Sequence, residues 1–525
     1  MVKTRKDPVK LEIYKNRFQS VAEEMGAALQ RTAFSPNIKE RRDFSCAVFD
    51  GTGKMVAQAE HIPVHLGAMP LSVESMVRKV GLKRGDTGIL NDPFEGGTHL
   101  PDITMVRPVY LKNSNSPSFY VANRAHHSDV GGMTPGSMPL SREVFQEGIR
   151  IPPLKFEHDH EIDRSVLLLL LANVRTPHER EGDLLAQYMS AKVGEERLLE
   201  LVDEFGFEEV FSYMDELQRY AERMMRAVIK RIPDGEYSFS DYMDDDGQSD
   251  RPVRISVRIT VSGDSAVLDF SGSDAQVSGC VNSVYAITLS AAYYVFRTLV
   301  GFSIPSNSGC LAPVTVIAPE GTVVNARFPA AVTGGNVETS QRTVDVLYGA
   351  LAKAIPEKIP AASGGTMNNL TMGGVHPETQ QPFAYYETIG CGMGARPMKP
   401  GMSGVHTHMT NTLNTPVEVI EHELPVRILR YGFRKNSGGK GAFCGGDGIE
   451  KSIEFLSDAS VSLIADRRKT APYGLAGGLP GRSGRDTLRR GRKTVTLGSK
   501  FNISVTKGSV FTIKTPGGGG FGPPF

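Results

Sequence analysis

The sequence predicts a mixed α+β protein organised in several lobes. Three observations carry this. The chain has 525 residues, more than one hydrophobic core ordinarily serves, so two to four lobes are expected. Helical and strand periodicities alternate through most of its length. From Pro425 onward the pattern is short strands and glycine turns only. The expected division is an N-terminal lobe over 1–235, a mixed α/β lobe over 236–424 and a β-rich lobe over 425–525.

Asp7-Pro8 is a helix start, with Asp as cap and Pro in the first turn. Leu11, Phe18, Val21, Met25 and Leu29 follow at helical spacing, and the helix should stop near Ser35-Pro36. FSCAVFDGTGKMVAQ reads as a hairpin turning at Asp50-Gly51-Thr52-Gly53, with Asp43 just before its first strand. GDTGILNDPF and SFYVANRA each look like a buried strand delivering a polar loop. Gly194–Ile232 should be helical with a break at Gly206. Val253, Ile255, Val257, Ile259 and Val261 alternate strictly, and Ser262–Ser265 turns that strand back into AVLDFSG. Ser283–Val300 and Thr343–Ile355 look helical. There is no repeat of 20 to 50 residues.

The bulk composition bounds the function. Net charge is +1, with 22% charged and 40% hydrophobic residues. That balance leaves no electrostatic footprint for nucleic acid, and the basic run 481–493 reads as a solvated loop. The apolar run Val166–Ala172 is far too short to span a bilayer, and MVKTRKDPVKLEIYKNR has no apolar secretory core. The five cysteines, Cys46, Cys280, Cys310, Cys391 and Cys444, form no CxxC pair and read as reduced thiols. A cytoplasmic protein without membrane contact is expected.

The chemistry concentrates in one stretch. His61, His65, His99, His126 and His127, five of twelve histidines, fall between positions 61 and 127. Two His-x-x-Asp patterns lie there, His99-Leu-Pro-Asp102 and His126-His127-Ser-Asp129, each beside Gly-Gly. Imidazole with carboxylate is a usual ligand set for a catalytic divalent metal. Pro101 argues against a helix at 99–102, so a turn must bring His99 and Asp102 together. The stretch offers Asp43, Asp92, His99, Asp102, His126, His127 and Asp129. A lone His or Asp in such turns is ordinarily a hydrogen-bond partner; the clustering favours ligation by His99 with Asp102. His126 and His127 are adjacent, so their side chains diverge in an extended segment and one of the two is expected to ligate. The loop 332–342, VTGGNVETSQR, carries Asn336, Glu338, Ser340 and Arg342 into a helix whose free N–H groups suit an anion, or is simply a tight capped turn. His406 and His408 would share one face of a strand. The chain has no GxxxxGK[ST] phosphate loop, no GxSxG elbow and no HExxH helix.

ERRDFSCAVFD, HIPVHLGAMP, NDPFEGGTHLPDIT, NRAHHSDVGGMTPGSMP, LANVRTPHER, GGNVETSQR, HTHMTNTLNTPVEV and YGFRKNSGGKGAFCGGDG together resemble the B subunit of the ATP-dependent hydantoinase/5-oxoprolinase family, over nearly the whole chain. More distant similarity is to acetone and acetophenone carboxylase subunits. The resemblance implies a metal held by Asp43, His99, Asp102 and His126, with zinc or manganese both suitable. It implies a hydantoinase A-type partner that binds ATP and Mg, in an (αβ)2 heterotetramer, which accounts for the missing phosphate loop. The expected activity is ATP-dependent hydrolysis of a lactam or cyclic ureide. Asp129 and His127 are expected to handle protons, and Gly334, Gly335, Asn336 and Arg342 to hold a carboxylate or phosphate. The alternatives are an ATP-dependent ketone carboxylase subunit and a noncatalytic scaffold stapled by its metal.

Overall fold

Asp7 accepts a hydrogen bond from the Val9 N–H at 2.9 Å and starts helix α1 (Pro8–Thr32), with Pro8 in the first turn. The computed structural model describes residues 7–59, 61–112, 114–301 and 304–524. The short α2 (Pro36–Lys39) follows, then the expected hairpin of β1 (Phe44–Asp50) and β2 (Met55–Gln58). Helix α3 (Ala68–Lys79), β3 (Thr87–Leu90), β4 (Asp102–Val109), β5 (Phe119–His126), β6 (Leu154–His158) and β7 (Glu161–Ile162) complete a seven-stranded sheet in the order β2-β1-β5-β4-β3-β6-β7. After α4 (Arg164–Leu171), the long helices α5 (Pro177–Phe205) and α6 (Phe207–Ile229) are separated at Gly206. Both faces of the sheet are covered. Phe44, Cys46 and Val48 pack with α1, α5 and α6, whereas Ala47 and Phe49 enter a second core with α3. A strand buried on both sides reads as a continuous apolar run, as FSCAVF does.

The second sheet is β11-β10-β9-β8, from β8 (Gly235–Met243), β9 (Val253–Ser262), β10 (Ser265–Asp269) and β11 (Val314–Ile317). The alternation of β9 is visible directly: Val253, Ile255, Val257, Ile259 and Val261 are buried. α7 (Tyr285–Val300) and α8 (Ser340–Leu351) close over it, and their side chains join the same core as α3. One apolar core therefore runs through the two regions that the sequence separates at 235.

The third sheet, β13-β12-β16-β19, pairs β12 (Asn369–Val375) and β13 (Pro382–Glu387) with β16 (Ala459–Ile464) and β19 (Lys500–Val505). It crosses position 424, where the sequence places a boundary. Short α9 (Val417–Glu423) leads into the fourth sheet, β14-β15-β20-β17-β18, made of β14 (Val426–Arg434), β15 (Gly448–Phe455), β17 (Arg485–Arg490), β18 (Lys493–Leu497) and β20 (Val510–Lys514). Leu370, Tyr385, Leu463, Ile453 and Phe511 form a core between these two sheets. Periodicity identifies which face of a strand is apolar, not which distant face covers it. Among the described residues no helix is long and apolar enough to cross a membrane.

Candidate metal centre

β4 and β5 are antiparallel neighbours, and their register sets Asp102 opposite His126. Cross-strand partners project to the same side, so the carboxylate and the imidazole meet. His99 comes from the turn just before β4, where the Asp102 N–H donates to the His99 carbonyl at 3.1 Å. The three residues offer ligand atoms that all lie within 4.8 Å of one another.

Asp102 is the hub. Its Oδ1 lies 3.1 Å from His99 Nε2 and 3.3 Å from His126 Nδ1. Its Oδ2 accepts from Thr98 Oγ1 at 2.7 Å and Asn336 Nδ2 at 3.3 Å, and faces His65 Nε2 at 3.4 Å. Burial alone would raise this carboxyl, but the histidines around it hold it well below the usual carboxylate range. Burial keeps His65 and His126 neutral by lowering their pKa values.

His99 Nδ1 lies 3.4 Å from the Thr333 carbonyl, so its proton belongs there and Nε2 presents a lone pair. Among the described residues, neither His99 Nε2 nor His126 Nε2 has a hydrogen-bond partner, although both are buried. Buried polar atoms are normally satisfied. Two imidazoles beside one buried carboxylate, with ligand atoms of all three within 4.8 Å of one another, are a donor set that fits a divalent cation. Tyr386 stacks on His126, with centroids 4.2 Å apart and planes inclined by 15°.

Comparison with known proteins agrees in extent with this architecture. The profile of the family described as hydantoinase B/oxoprolinase matches residues 7–524. The chain belongs to the hydantoinase B/oxoprolinase family. It is 40% identical to a 5-oxoprolinase of Dictyostelium discoideum, over 99% of this chain and 41% of that one. It therefore spans about two fifths of the length of that relative. The B subunit of a putative D-/L-hydantoinase from a Pseudomonas species is 32% identical, over 99% of this chain and 90% of that protein. Among solved structures, the ATP-dependent caprolactamase from Pseudomonas jessenii superimposes with a TM-score of 0.92 at 28% identity, covering 99% of this chain and 92% of that one. An acetone carboxylase gives the same TM-score at 18% identity, over 98% and 76% of the two chains, and shares the fold.

In this member of the hydantoinase B/oxoprolinase family, the other expected residues divide. Asp43 is buried, and its backbone carbonyl accepts from the His126 N–H at 3.0 Å. Its carboxylate stands 3.7 Å from Arg41 Nη1 and acts electrostatically on both His126 and His65. Asn336 reaches the cluster through Asp102. Gly334 and Gly335 open the turn that delivers it, and a Cβ on Gly335 would sit 1.8 Å from the Asn282 carbonyl.

Other groups are committed elsewhere. Asp92 caps its own turn at Phe94 and pairs with Arg150. The His127 ring turns away from His126 toward α5, where Nε2 meets Gln187 Oε1 at 2.8 Å, and burial lowers its pKa to about 4. Asp129, expected to handle protons, clamps its own loop: it accepts from the Gly131, Gly136 and Arg175 N–H groups and pairs with the Arg175 guanidinium at 2.9 Å. Arg342, expected to hold an anion, pairs with Asp466 at 2.8 Å. His406 and His408 lie in coil rather than on one strand face, and His408 has a φ of +58°.

Two neighbours of the cluster escaped the sequence reading. Tyr386 comes from β13, far along the chain and without a motif signal. Glu147 accepts from Ser141 and from the Val332 and Thr333 N–H groups, and so fixes the carbonyl against which His99 rests. Burial pushes the Glu147 carboxyl up to about 7. His65 did carry a signal, as a member of the histidine-rich stretch.

Proposed function

We propose that this chain is the B subunit of an ATP-dependent cyclic amidase that opens a lactam or cyclic ureide. A divalent metal, zinc or manganese, is held by His99, Asp102 and His126 with Asp43 as fourth ligand. The observation that carries the proposal is the convergence of His99 Nε2 and His126 Nδ1 on Asp102 Oδ1, at 3.1 and 3.3 Å, with ligand atoms of all three residues within 4.8 Å of one another. The relatives support the reaction class, since the named ones act as oxoprolinase, hydantoinase or caprolactamase. The ketone carboxylase reading rests on fold likeness at 18% identity and is the lesser one. The Pseudomonas relative, itself named as one subunit of a hydantoinase, and the extra length of the 5-oxoprolinase support a separate A-type partner that binds ATP with Mg in an (αβ)2 assembly.

A metal in this position supplies Lewis acidity toward an amide carbonyl and activates water. The chain's own groups do the positioning. Asp102 aligns both imidazoles. Thr98 and Asn336 hold its second oxygen. The Thr333 carbonyl fixes the tautomer of His99, the outer support that metal-binding histidines ordinarily have. Tyr386 fixes the plane of His126. His65 Nε2, beside Asp102 Oδ2, is the imidazole placed to hold a proton at the cluster, given where His127 and Asp129 are committed. Near-complete burial keeps bulk water away.

The test uses the chain co-purified with its ATPase partner and a panel of hydantoin, 5-oxoproline and caprolactam. His99→Ala should lose the bound metal and lower ATP-dependent ring opening by about 100-fold or more. Ring opening at the unaltered rate by a metal-free variant would sink the proposal. Labelled bicarbonate appearing in product would favour the carboxylase. If chelation lowered thermal stability and activity together, the metal would be structural.

A further inference from the structure

Gln58 ends β2, the edge strand of the first sheet, and is buried at 5% exposure. Its Oε1 has no partner among the described residues, and its Nε2 donates to none of them. A buried carboxamide left in this state is costly unless something completes it. Gln58 lines a cavity of about 310 Å³ whose apolar walls include Pro63, Leu66 and Tyr294. A cavity of that size, mostly apolar with a few placed polar groups, is the usual form of a small-molecule site.

The cavity has no charge to spare. Its histidine, His61, is kept neutral by burial, which lowers the pKa to about 4. No carboxylate lines it among the described residues, and Arg297 is the single charged group there. That guanidinium is committed to the end of its own helix. From the last turn of α7, Nη1 donates to the Gly301 carbonyl, Nη2 to the Ile304 carbonyl at 2.9 Å and Nε to Ser306 Oγ at 3.3 Å. A cation offsets the dipole at a helix C-terminus, and the same dipole disfavours an anion. A neutral ligand therefore suits the cavity better than a carboxylate. The unpartnered group it meets is Gln58, whose carboxamide offers a donor and an acceptor side by side. The amide of a small ring is held cis, with N–H and C=O on one edge, so two hydrogen bonds can join the two amides. An open-chain secondary amide is trans and matches Gln58 with one group at a time. The methylenes of the ring suit Pro63, Leu66 and Tyr294.

We propose that this cavity is a docking site for an uncharged lactam, with Gln58 Oε1 accepting from the ring N–H and Gln58 Nε2 donating to the ring carbonyl. The inference rests on the reading of the chain as a cyclic amidase subunit and narrows it: neutral lactams are favoured over rings that carry a carboxylate. The cavity and the metal centre share the turn Pro63–His65. Pro63 lines the cavity, and His65 Nε2 faces Asp102 Oδ2 at 3.4 Å. One short turn of chain thus separates the docked ring from the cluster.

Ligand-observed NMR titration of the purified chain, without ATP or partner, tests this, with caprolactam, 5-oxoproline and N-methylacetamide as probes. Caprolactam should bind saturably and about tenfold or more tightly than either of the other two. Gln58→Met keeps the shape of the side chain and removes the amide. It should weaken caprolactam binding by about tenfold or more, with metal content unchanged and a thermal midpoint unchanged or higher, because no unpartnered amide stays buried. Leu66→Phe narrows the cavity and should weaken caprolactam binding as well. No saturable binding of caprolactam, equal affinity in Gln58→Met, or 5-oxoproline bound as tightly as caprolactam would overturn the proposal. The amidase reading fails separately. Caprolactam bound through Gln58, with no cyclic amide opened by the chain and its ATPase partner supplied with ATP, would support the docking site and count against the amidase. Ring opening by that pair with caprolactam affinity and KM unchanged in Gln58→Met would keep the amidase and overturn the docking site.

Discussion

Glu338 and Asp102 are both fully buried carboxylates on the site side of the molecule, yet they are driven in opposite directions. Three imidazoles hold Asp102 down, whereas Glu338 is pushed up to about 7, by burial first and then by the like charge of Asp466. Glu338 Oε1 accepts from the Met367 N–H and Asn369 Nδ2, and its Oε2 has no partner among the described residues. The raised value carries a sign. The folded chain keeps this proton up to about 7, whereas the unfolded chain releases it near 4.5. The stability it contributes is fully present below 4.5 and is lost as pH rises through 7. The span corresponds to about 3 kcal/mol. Glu338→Gln keeps the accepting oxygen and removes the titration. Urea unfolding between about pH 5 and pH 8 should therefore show a stability loss smaller in the variant by roughly that amount. Identical pH dependence in both proteins would refute it. At this scale spacing singles out His99 and Asp102 and leaves His126 and His127 as alternatives, between which the family resemblance favours His126. It hides Tyr386 and Glu147, because each reaches the cluster from an element that only tertiary packing brings near.

Among the elements, the pairing of β4 with β5 and the turn into α8 build the site. The register that places Asp102 opposite His126 follows from strands whose both faces are buried, since a slip of one residue would turn every side chain over. Sequence patterns expose the β1–β2 and β9–β10 hairpins because local alternation and a turn suffice for them. The start of α5 at Pro177 rather than near Gly194 is signalled by Thr176-Pro177, which the apolar spacing alone does not pick up. The turn at 335–339 widens into a π-helical turn before α8, and this delivers Asn336 to Asp102. Gly335→Ala tests that delivery. Its Cβ would lie 1.8 Å from the Asn282 carbonyl, whereas a Cβ on Gly334 would lie 3.0 Å from the Cys280 carbonyl. The first clash is with backbone that cannot swing aside, so Gly335→Ala should cost several kcal/mol, of order 3 or more, and deplete bound metal. Gly334→Ala should be the milder change. Thermal midpoints and metal content of the two purified variants decide it, and equal behaviour would refute the account.

Across the whole molecule, the lobes expected from sequence are tied together by a buried ionic network that no local pattern announces. Asp466, just after β16, accepts from Arg342 of α8 at 2.8 Å and stands 3.2 Å from Lys500 of β19. Arg467 pairs with Asp241 of β8 and Asp345 of α8, both at 2.7 Å. The second sheet, α8 and the third sheet thus share one set of charges, drawn from stretches of chain around 241, 342–345, 466–467 and 500. This is why the mixed fold class was readable from periodicity but the way its parts lock together was not. The Asp466 carboxyl is held at about 2; burial would raise it, and Lys500, Arg342 and Arg467 outweigh that. Its stabilising contribution is present above the ordinary 3.8 and is lost as pH falls through about 2. Near neutral pH, Asp466→Asn leaves Arg342 and Lys500 buried without their shared countercharge, and breaking such a pair typically costs about 3–5 kcal/mol. Lys500 then keeps Asp245 at 3.3 Å and Arg342 keeps Asp241 at 3.6 Å; replacing Lys500 by Met in the same chain removes one of the two undercompensated cations and should restore part of that loss, a coupling expected for residues in direct contact. Urea unfolding of the single and double variants measures it. A single variant within about 1 kcal/mol of the starting protein, or a double variant no more stable than the single one, would show that the lobes are held by apolar packing and that the network carries little of the load.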